Sequence, residues 1–302
     1  MLITTIIILI LCIVSSGFAG NIYKKLSENS ESVAASLTMP PLWFAMLAIF
    51  FGIFSVATKE TPDLTAIPIA LLGGASIAMT SSIMIESMKK VAISISLIII
   101  NLNFIIPVVL SAIFLNVPAA PLQLAGMLLS ITVIVLLNLT PTGDRQAGEK
   151  PKKTAILLPL LACIGNGLLN FCITVNGNNG SPPMFFFAVV YGSGALGGLI
   201  VGCVTHKVRG GKGFPITKPA FKVVLPSVAL LGLCNGVCFY TERLLADGRM
   251  NPAALFTTVT CASIALSLVV GFLFQGDKLT KKSVISMIFC VLAILCQHSG
   301  IA

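Results

Sequence analysis

The sequence has few charged side chains, and this limits the fold classes that it can adopt. Of its 302 residues, 10% are Asp, Glu, Lys or Arg and 56% are hydrophobic, and the mean hydropathy is +1.02. A water-soluble protein is about a quarter charged, because its surface must be hydrated. So little charge cannot cover a compact globule in water. The composition therefore excludes an ordinary soluble domain and indicates a protein embedded in lipid.

The sequence also lacks the common motifs of catalysis, nucleotide hydrolysis and metal binding. It contains only two histidines, and it has no Walker loop, no HExxH, no GxSxG and no Ser-His-Asp arrangement. Its nine cysteines are scattered without a CxxC pair or metal-ligand spacing, and we interpret Cys234 and Cys238 as packing residues. We therefore expect no enzymatic activity, no cofactor and no metal.

What is present is a series of apolar stretches of about 20 residues, the length that a helix needs to cross a hydrocarbon core about 30 Å thick. The first stretch could be a secretory signal, but no Lys or Arg precedes it, so we expect a retained helix. The pattern predicts an all-α integral membrane protein with ten transmembrane helices, numbered in chain order: 2–22, 36–58, 64–86, 91–115, 118–139, 154–176, 182–205, 222–244, 250–274 and 283–300.

A polar linker, TPTGDRQAGEKPKK, divides the chain into two halves of five predicted helices each. The halves are residues 1–139 and 154–302, and the linker is 140–153. CIVSSG at 12–17 resembles ACIGNG at 162–167, and ALLGGAS at 70–76 resembles ALLGLCN at 229–235. Two matches in the same order indicate an internal duplication.

A duplicated unit with an odd number of spans must cross the membrane in the opposite direction the second time. The sequence therefore predicts two inverted five-helix repeats. Such repeats can bind a solute near the midplane and expose it to either side in turn, which is alternating access. This geometry favours a transporter over a membrane enzyme or a scaffold.

The basic residues predict the orientation of the spans. The loops after helices 1, 3, 5, 7 and 9 hold 16 of the 19 Lys and Arg residues. Cytoplasmic loops carry an excess of Lys and Arg. We therefore expect these loops in the cytoplasm of a multi-pass protein of the cell membrane, with both termini outside. Loop placement also explains the formal charge of +9 without a nucleic-acid partner.

The closing segment resembles a known family. NPAALFTTVTCASIALSLVVGFLFQGDKLTKKSVISMIFCVLAIL, residues 251–295, is similar to the end of EamA-like members of the drug/metabolite transporter superfamily. Those have a proline opening helix 9, a small-residue helix, a GE-x-L-T turn and a final apolar helix. Here Asp277 stands in place of the usual Glu. The first-half equivalent, 103–137, keeps the proline and a Gln-x-x-Gly but lacks the acidic turn residue.

The resemblance extends to helix 1, where SSGFAGNIYKK at 15–25 looks like the family's helix ending, with Ser16 where a tryptophan is usual. It implies ten helices, two repeats, a central cavity and the export or uptake of metabolites. Many members are drawn with cytoplasmic termini. The basic residues of this chain predict the reverse, and we follow the charge distribution.

Polar side chains within the spans are the candidate solute-binding residues, because an unpaired polar group is costly in hydrocarbon. Asn166 and Asn170 lie one turn apart on one face of helix 6. They could line the solute path, or they could bond to a neighbouring helix. Asn103 is the better placed of the two asparagines on helix 4. The complete candidate set is Ser16, Asn103, Asn166, Asn170, Tyr191, Asn235, Tyr240, Glu242 and Thr260.

Other residues are expected to be structural. Gly194, Gly198 and Gly202 form a small-residue ridge that predicts close helix packing. Glu86 and Lys90 are expected to pair across one helical turn. Trp43 and the Phe185–Phe187 run are expected to mark the membrane interface.

The candidate residues are neutral amides and hydroxyls with one acid, Glu242. They favour a neutral or zwitterionic small-molecule solute, such as an amino acid, a sugar or a related metabolite, carried by a monomer or a homodimer. A proton or another cation is a candidate coupling ion, and Glu242 could carry it or could pair with Arg243. A membrane-embedded lipid-modifying enzyme and a non-transporting scaffold are the alternatives.

Impermeant thiol labelling tests the predicted orientation. A cysteine introduced at either terminus of a variant without the natural cysteines should react in intact cells, because both termini are expected outside. Protection of that cysteine until the membrane is opened would reverse the orientation.

Overall fold

The computed structural model describes residues 2–90, 96, 99–117, 119–138, 156–211, 214–216, 218–246, 252–274 and 281–299. Within these ranges the regular secondary structure is helical and no strand occurs. The all-helical prediction is confirmed. The polar linker at 140–153 and most of the first turns of predicted helix 4 lie outside the described residues.

Ten α-helices make up the described chain: α1 Leu2–Glu28, α2 Val33–Ala57, α3 Ile67–Lys90, α4 Ile105–Phe114, α5 Pro121–Asn138, α6 Leu157–Asn178, α7 Pro183–Val208, α8 Lys218–Ala246, α9 Pro252–Phe274 and α10 Lys281–Ser299. Short 3₁₀ turns, Leu64–Ala66 and Leu102–Phe104, precede α3 and α4. Helix α1 extends beyond its predicted end at residue 22 and includes Lys24 and Lys25. Backbone hydrogen bonds do not stop at the hydrocarbon boundary, whereas the prediction used the first charges as the end.

Four described helices are long and apolar enough to cross a membrane. They are Val33–Ala57, Leu64–Lys90, Leu157–Asn178 and Pro183–Val208. Five further apolar helical stretches within the described residues are 10–17 residues long. The side chains of α2 and α7 that point away from the protein are large and apolar, including Ile49, Ile53, Leu196 and Ile200. An outer surface of this kind is typical of a protein in contact with lipid.

Helices α2 and α7 pack closely along their length. A Cβ atom at Gly198 would lie 2.7 Å from Pro41 Cγ, and one at Gly194 would lie 3.5 Å from the Phe44 ring. One turn further, Gly202 faces Thr38. The glycine ridge therefore accommodates the side chains of α2, as its spacing predicted. The contacts run in opposite chain directions, so the two helices are antiparallel.

The interior consists of two hydrophobic cores, and each core takes helices from both halves of the chain. The larger core contains residues of α1, α2, α3, α6, α7 and α8. The smaller one contains residues of α4, α5, α9 and α10. Neither half therefore has a separate core of its own in the described chain.

The charged side chains that the structure describes lie in loops or in the outer two turns of helices. We define the basic end by Lys24, Lys25, Lys89, Lys90, Lys207 and Arg209, which follow or end α1, α3 and α7; Glu28, Glu31 and Glu86 also lie there. We define the acidic end by Glu60 and Asp63, in the loop from α2 to α3, where Lys59 also lies. The apolar middle separates the two ends.

Substitution of Gly74 tests the close approach of α3 to α7. A Cβ atom there would lie 2.6 Å from Val190 O and 3.0 Å from Gly194 N, which are backbone atoms that cannot rotate away. We expect Gly74→Ala to destabilise the protein by about 1–3 kcal/mol, measured as a lower thermal midpoint in detergent. Gly197→Ala is the matched control, because no atom lies within 4 Å of its Cβ position. Equal midpoints for the two variants would contradict this packing.

Candidate functional site

Two of the candidate asparagines are joined across the halves of the chain. Asn170 Nδ2, on α6, donates a hydrogen bond to Asn103 Oδ1 at 3.3 Å. Asn170 is buried, whereas Asn103 and Asn166 are partly exposed. Gly167 makes the approach possible, because a Cβ atom there would lie 2.9 Å from Asn103 O. The pair thus forms an interhelical bond of the kind that stabilises membrane helices, with Asn166 one turn away on the same face.

A second polar cluster joins α1, α3 and α8. The Tyr23 hydroxyl lies 3.0 Å from Ser81 Oγ, and the Asn235 side chain lies near this hydroxyl. Tyr23 and Ser81 are buried, and Asn235 is partly exposed. Sequence reasoning placed Tyr23 just beyond the end of helix 1 and missed it. The lysines that follow Tyr23 suggested that the helix ends there, whereas α1 continues to Glu28 and the Tyr23 side chain faces the interior.

Trp43 lies beside this cluster rather than at the membrane interface. It is 0% exposed, and its ring contacts Tyr23 edge-on with 5.9 Å between centroids. Phe186 and Phe187 are also buried, at 0% and 1% exposure. The interface assignment of these aromatic residues was wrong. They fill the larger core, since an aromatic ring packs well against the glycines of a facing helix.

Tyr191, a candidate solute contact, lies within that aromatic core. It stacks on Phe51 with the two ring planes 4° apart and the centroids separated by 5.7 Å, and Phe44 and Phe239 surround it at 5.9 and 6.2 Å. Its stacking partners are therefore protein side chains of α2 and α8.

The other candidates are distributed differently. Thr260 is partly exposed on α9, next to Cys261, whose Sγ lies 3.0 Å from Ser130 Oγ of α5. The side chains of Ser16, Tyr240 and Glu242 lie outside the described residues. Among the described residues, no group of three or more His, Cys, Asp or Glu side chains could hold a metal ion. Cys238 packs against α1, where its Sγ donates to Cys12 O at 3.4 Å.

The acidic end contains a contact between the halves that the sequence did not reveal. The Glu60 carboxylate accepts hydrogen bonds from the backbone N–H groups of Phe185 at 2.8 Å and Met184 at 3.3 Å. These amides belong to the first turn of α7, so the Glu60 carboxylate, in the loop between α2 and α3, caps the N-terminus of α7. Its negative charge interacts favourably with the positive end of the helix dipole. Ser181 Oγ donates to Asp63 Oδ2 at 2.6 Å. We call Glu60, Asp63, Ser181 and the first amides of α7 the acidic clamp.

Hydrogen bonds to Asp63 lower its pKa. The largest cause is the bond from the Ser181 hydroxyl, followed by that from Thr65. The charged form is therefore favoured in the folded protein. Any stabilisation from this carboxylate is present above its unfolded pKa of about 3.9 and is lost as the pH falls through the lowered folded value.

The polar network at the basic end contains the predicted Glu86–Lys90 pair and adds a closer partner, Lys89. Lys89 Nζ donates to Glu86 Oε1 at 2.7 Å, to Ser36 Oγ at 2.8 Å and to Ser30 Oγ at 3.0 Å. Lys90 Nζ lies 3.8 Å from Glu86. The main partner of Glu86 is thus Lys89, three residues away. This network ties the α1–α2 turn to the end of α3 within the first half.

No family model matches the chain, and no curated protein matches it. Among solved structures, 28 chains match. One of them, described only as a crystal structure of a protein, has a TM-score of 0.63 and 16% sequence identity over 98% of both chains. At this identity the likeness shows the fold alone. The helical arrangement described above is therefore one that another protein also adopts.

Neutralising Glu60 tests the acidic clamp. We expect Glu60→Gln to lower the stability of the protein by about 0.5–2 kcal/mol, the usual range for loss of a helix cap, seen as a lower thermal midpoint at neutral pH. Glu28→Gln is the control, because Glu28 is an exposed acid at the end of α1. An unchanged midpoint for Glu60→Gln would show that the cap contributes nothing.

Proposed function

We propose that this chain is a secondary transporter of the EamA-like type, which moves a small polar or amphipathic metabolite across the cell membrane by alternating access. The proposal comprises ten spans, two inverted repeats of five helices and a solute site between them. The resemblance of residues 251–295 to EamA-like transporters supports the proposed family, and the packing of the helices supports the proposed mechanism.

The observation that carries the proposal is the antiparallel packing of α2 and α7. These helices occupy the same place in the two halves, each being second of five. From Thr38–Gly202 through Pro41–Gly198 to Phe44–Gly194, residue numbers rise on α2 as they fall on α7. Equivalent helices that run in opposite directions are what an inverted repeat requires. A parallel duplication would place them in the same direction.

The pattern of helix contacts gives independent support. If each helix is replaced by its equivalent in the other half, the α3–α6 contact corresponds to an α8–α1 contact. In the same way, α3–α7 corresponds to α8–α2, and α4–α6 corresponds to α9–α1. All six of these pairs are in contact. The two cores are consistent with this correspondence, because a core that contains a helix also contains its equivalent from the other half. Two arrangements related in this way would be close in energy, which alternating access needs.

The distribution of polar groups favours an uncharged or zwitterionic solute. The described side chains in the apolar middle offer amides and hydroxyls, such as Asn103, Asn170, Asn235 and Tyr23. The described charges stay at the two ends. The basic end would face the cytoplasm under the positive-inside rule, which places the acidic clamp on the outer side.

The two alternative functions, a lipid-modifying enzyme and a non-transporting scaffold, lead to different expectations. A lipid-modifying enzyme would need His, Asp or Glu side chains grouped at one interface. A scaffold would need polar groups only where they join helices. The neutral amides that join helices of opposite halves do not fit a lipid-modifying enzyme, and a transport measurement separates a carrier from a scaffold.

Solute counterflow in proteoliposomes tests the function directly. Vesicles loaded with unlabelled neutral and zwitterionic solutes should accumulate the labelled form of at least one, because a carrier exchanges its solute across the membrane. We expect Asn170→Leu to reduce this uptake about tenfold, the equivalent of about 1.4 kcal/mol. Thr132→Val is the control, since its hydroxyl bonds to Leu128 O of its own helix on the exposed face of α5.

The absence of counterflow for every solute in a broad panel would exclude a carrier. Uptake without exchange would indicate a channel instead. Equal uptake by Asn170→Leu and Thr132→Val would show that Asn103 and Asn170 do not line the solute path.

A further inference from the structure

The indole N–H of Trp43 is a buried donor that lacks an acceptor. Trp43 is 0% exposed, and no side chain or backbone atom of the described residues accepts a hydrogen bond from its Nε1. An unsatisfied buried donor costs about 1–3 kcal/mol. Phenylalanine would fill the same core without this cost. A bound molecule that accepts a hydrogen bond from the indole N–H would remove this cost.

The polar groups nearest to the indole belong to the Tyr23 cluster. Trp43 and Tyr23 form an edge-to-face contact, and the Tyr23 hydroxyl bonds to Ser81 with Asn235 nearby. On its other side Trp43 faces α8 at Gly232, where a Cβ atom would lie 3.4 Å from Trp43 Cβ. Gly232 lies one turn before Asn235, so the indole and the amide share one face of α8. Glycine at 232 makes room for the terminal methyl group of Met46 as well as for Trp43.

This cluster lies between the basic end and the middle of the α2–α7 contact, and it joins the two halves of the chain. Trp43 is adjacent to Phe44, which packs on Gly194 in the middle of the α2–α7 contact. The cluster draws Tyr23, Trp43 and Ser81 from the first half and Asn235 from the second, so a ligand there would touch both repeats. Asn235 is its partly exposed member and is the side from which a ligand could enter.

The cluster combines aromatic faces with hydrogen-bonding groups and has no charged member, although Lys24 directly follows Tyr23 in α1. The nearest charges along the chain, at Lys24 and Glu86, lie in the outer turns of α1 and α3, where Glu86 is occupied by Lys89. An ionic solute would find no counter-charge and would lose its hydration. A flat or ring-shaped neutral molecule can stack on the aromatic faces while an oxygen accepts the indole proton.

We propose that Trp43, Tyr23 and Asn235 form the recognition site of the carrier, and that its solute is an uncharged ring compound with a carbonyl or hydroxyl oxygen that accepts a hydrogen bond from Trp43 Nε1. This inference rests on the proposed transport function and specifies its substrate class. Ser81 positions the Tyr23 hydroxyl. The Asn103–Asn170 pair is a separate contact between the 3₁₀ turn before α4 and helix α6, and its amides bond to each other.

Trp43 is the single tryptophan of the chain, so intrinsic fluorescence of the purified protein reports on this site alone. Uracil, nicotinamide and D-glucose serve as neutral ring probes, and succinate and putrescine as charged controls. We expect a saturable change in Trp43 emission with at least one neutral probe at millimolar concentration or below, and none with the charged controls. No saturable change with any neutral probe, or an equal change with the charged controls, overturns the proposal.

The variant Trp43→Phe isolates the indole N–H while it retains an aromatic ring. Binding of the active probe, followed by thermal stabilisation of the protein, should weaken about tenfold in Trp43→Phe and also in Tyr23→Phe. Ser193→Ala is the matched control, because this hydroxyl of α7 bonds to Val189 O of its own helix at 2.8 Å. If Trp43→Phe binds the probe as tightly as Ser193→Ala does, a buried water rather than the solute satisfies the indole, and the proposal is overturned.

Counterflow of the same probe separates this inference from the proposed function. Equal counterflow in the wild-type protein and Trp43→Phe would leave the carrier intact and refute the site. Saturable binding at Trp43 without counterflow would support the site and refute transport.

Discussion

The contact between α2 and α7 determines how the rest of the protein can be arranged. Apolar side chains gain nothing by leaving lipid for one another, so membrane helices associate through close packing and hydrogen bonds. The glycine ridge at 194, 198 and 202 brings the α7 backbone against Pro41 and Thr38. Around this contact the larger core closes with α3 and α8 on the sides. This close antiparallel contact therefore joins the first half of the chain to the second.

The cost of burying charge explains where the polar chemistry lies. Ionised groups remain in the outer turns, where Lys89 satisfies Glu86 and where Glu60 caps α7. Neutral groups occupy the middle and join helices in pairs, as in Tyr23–Ser81 and Asn103–Asn170. Each such pair is satisfied at least in part inside the protein. Among the described residues, the Trp43 indole departs from this pattern, as do the buried side chains of Asn176, Thr257 and Thr258.

Composition and apolar periodicity predicted the helical class and the positions of the helices, because hydrophobic length is a local property. The glycine ridge was also readable, since its four-residue spacing places the residues on one face. Tyr23 and Trp43 were misjudged, because sequence alone cannot tell an aromatic residue at an interface from one packed inside. The acidic clamp could not be predicted, since Glu60 and Phe185 are far apart in the chain and meet only after folding.

Two consecutive prolines in α2 have a mechanical consequence. Pro40 and Pro41 lie inside the helix, and neither has an N–H to bond the carbonyls of Ser36 and Leu37 one turn earlier. The first turns of α2 are therefore joined to the remainder by fewer hydrogen bonds than any ordinary helix would have. Ser36 fastens those turns to Glu86 of α3, whereas Thr38, Pro41 and Phe44 pack on α7. The double proline therefore gives α2 a flexible point between the turns that are bonded to α3 and the longer segment that packs on α7.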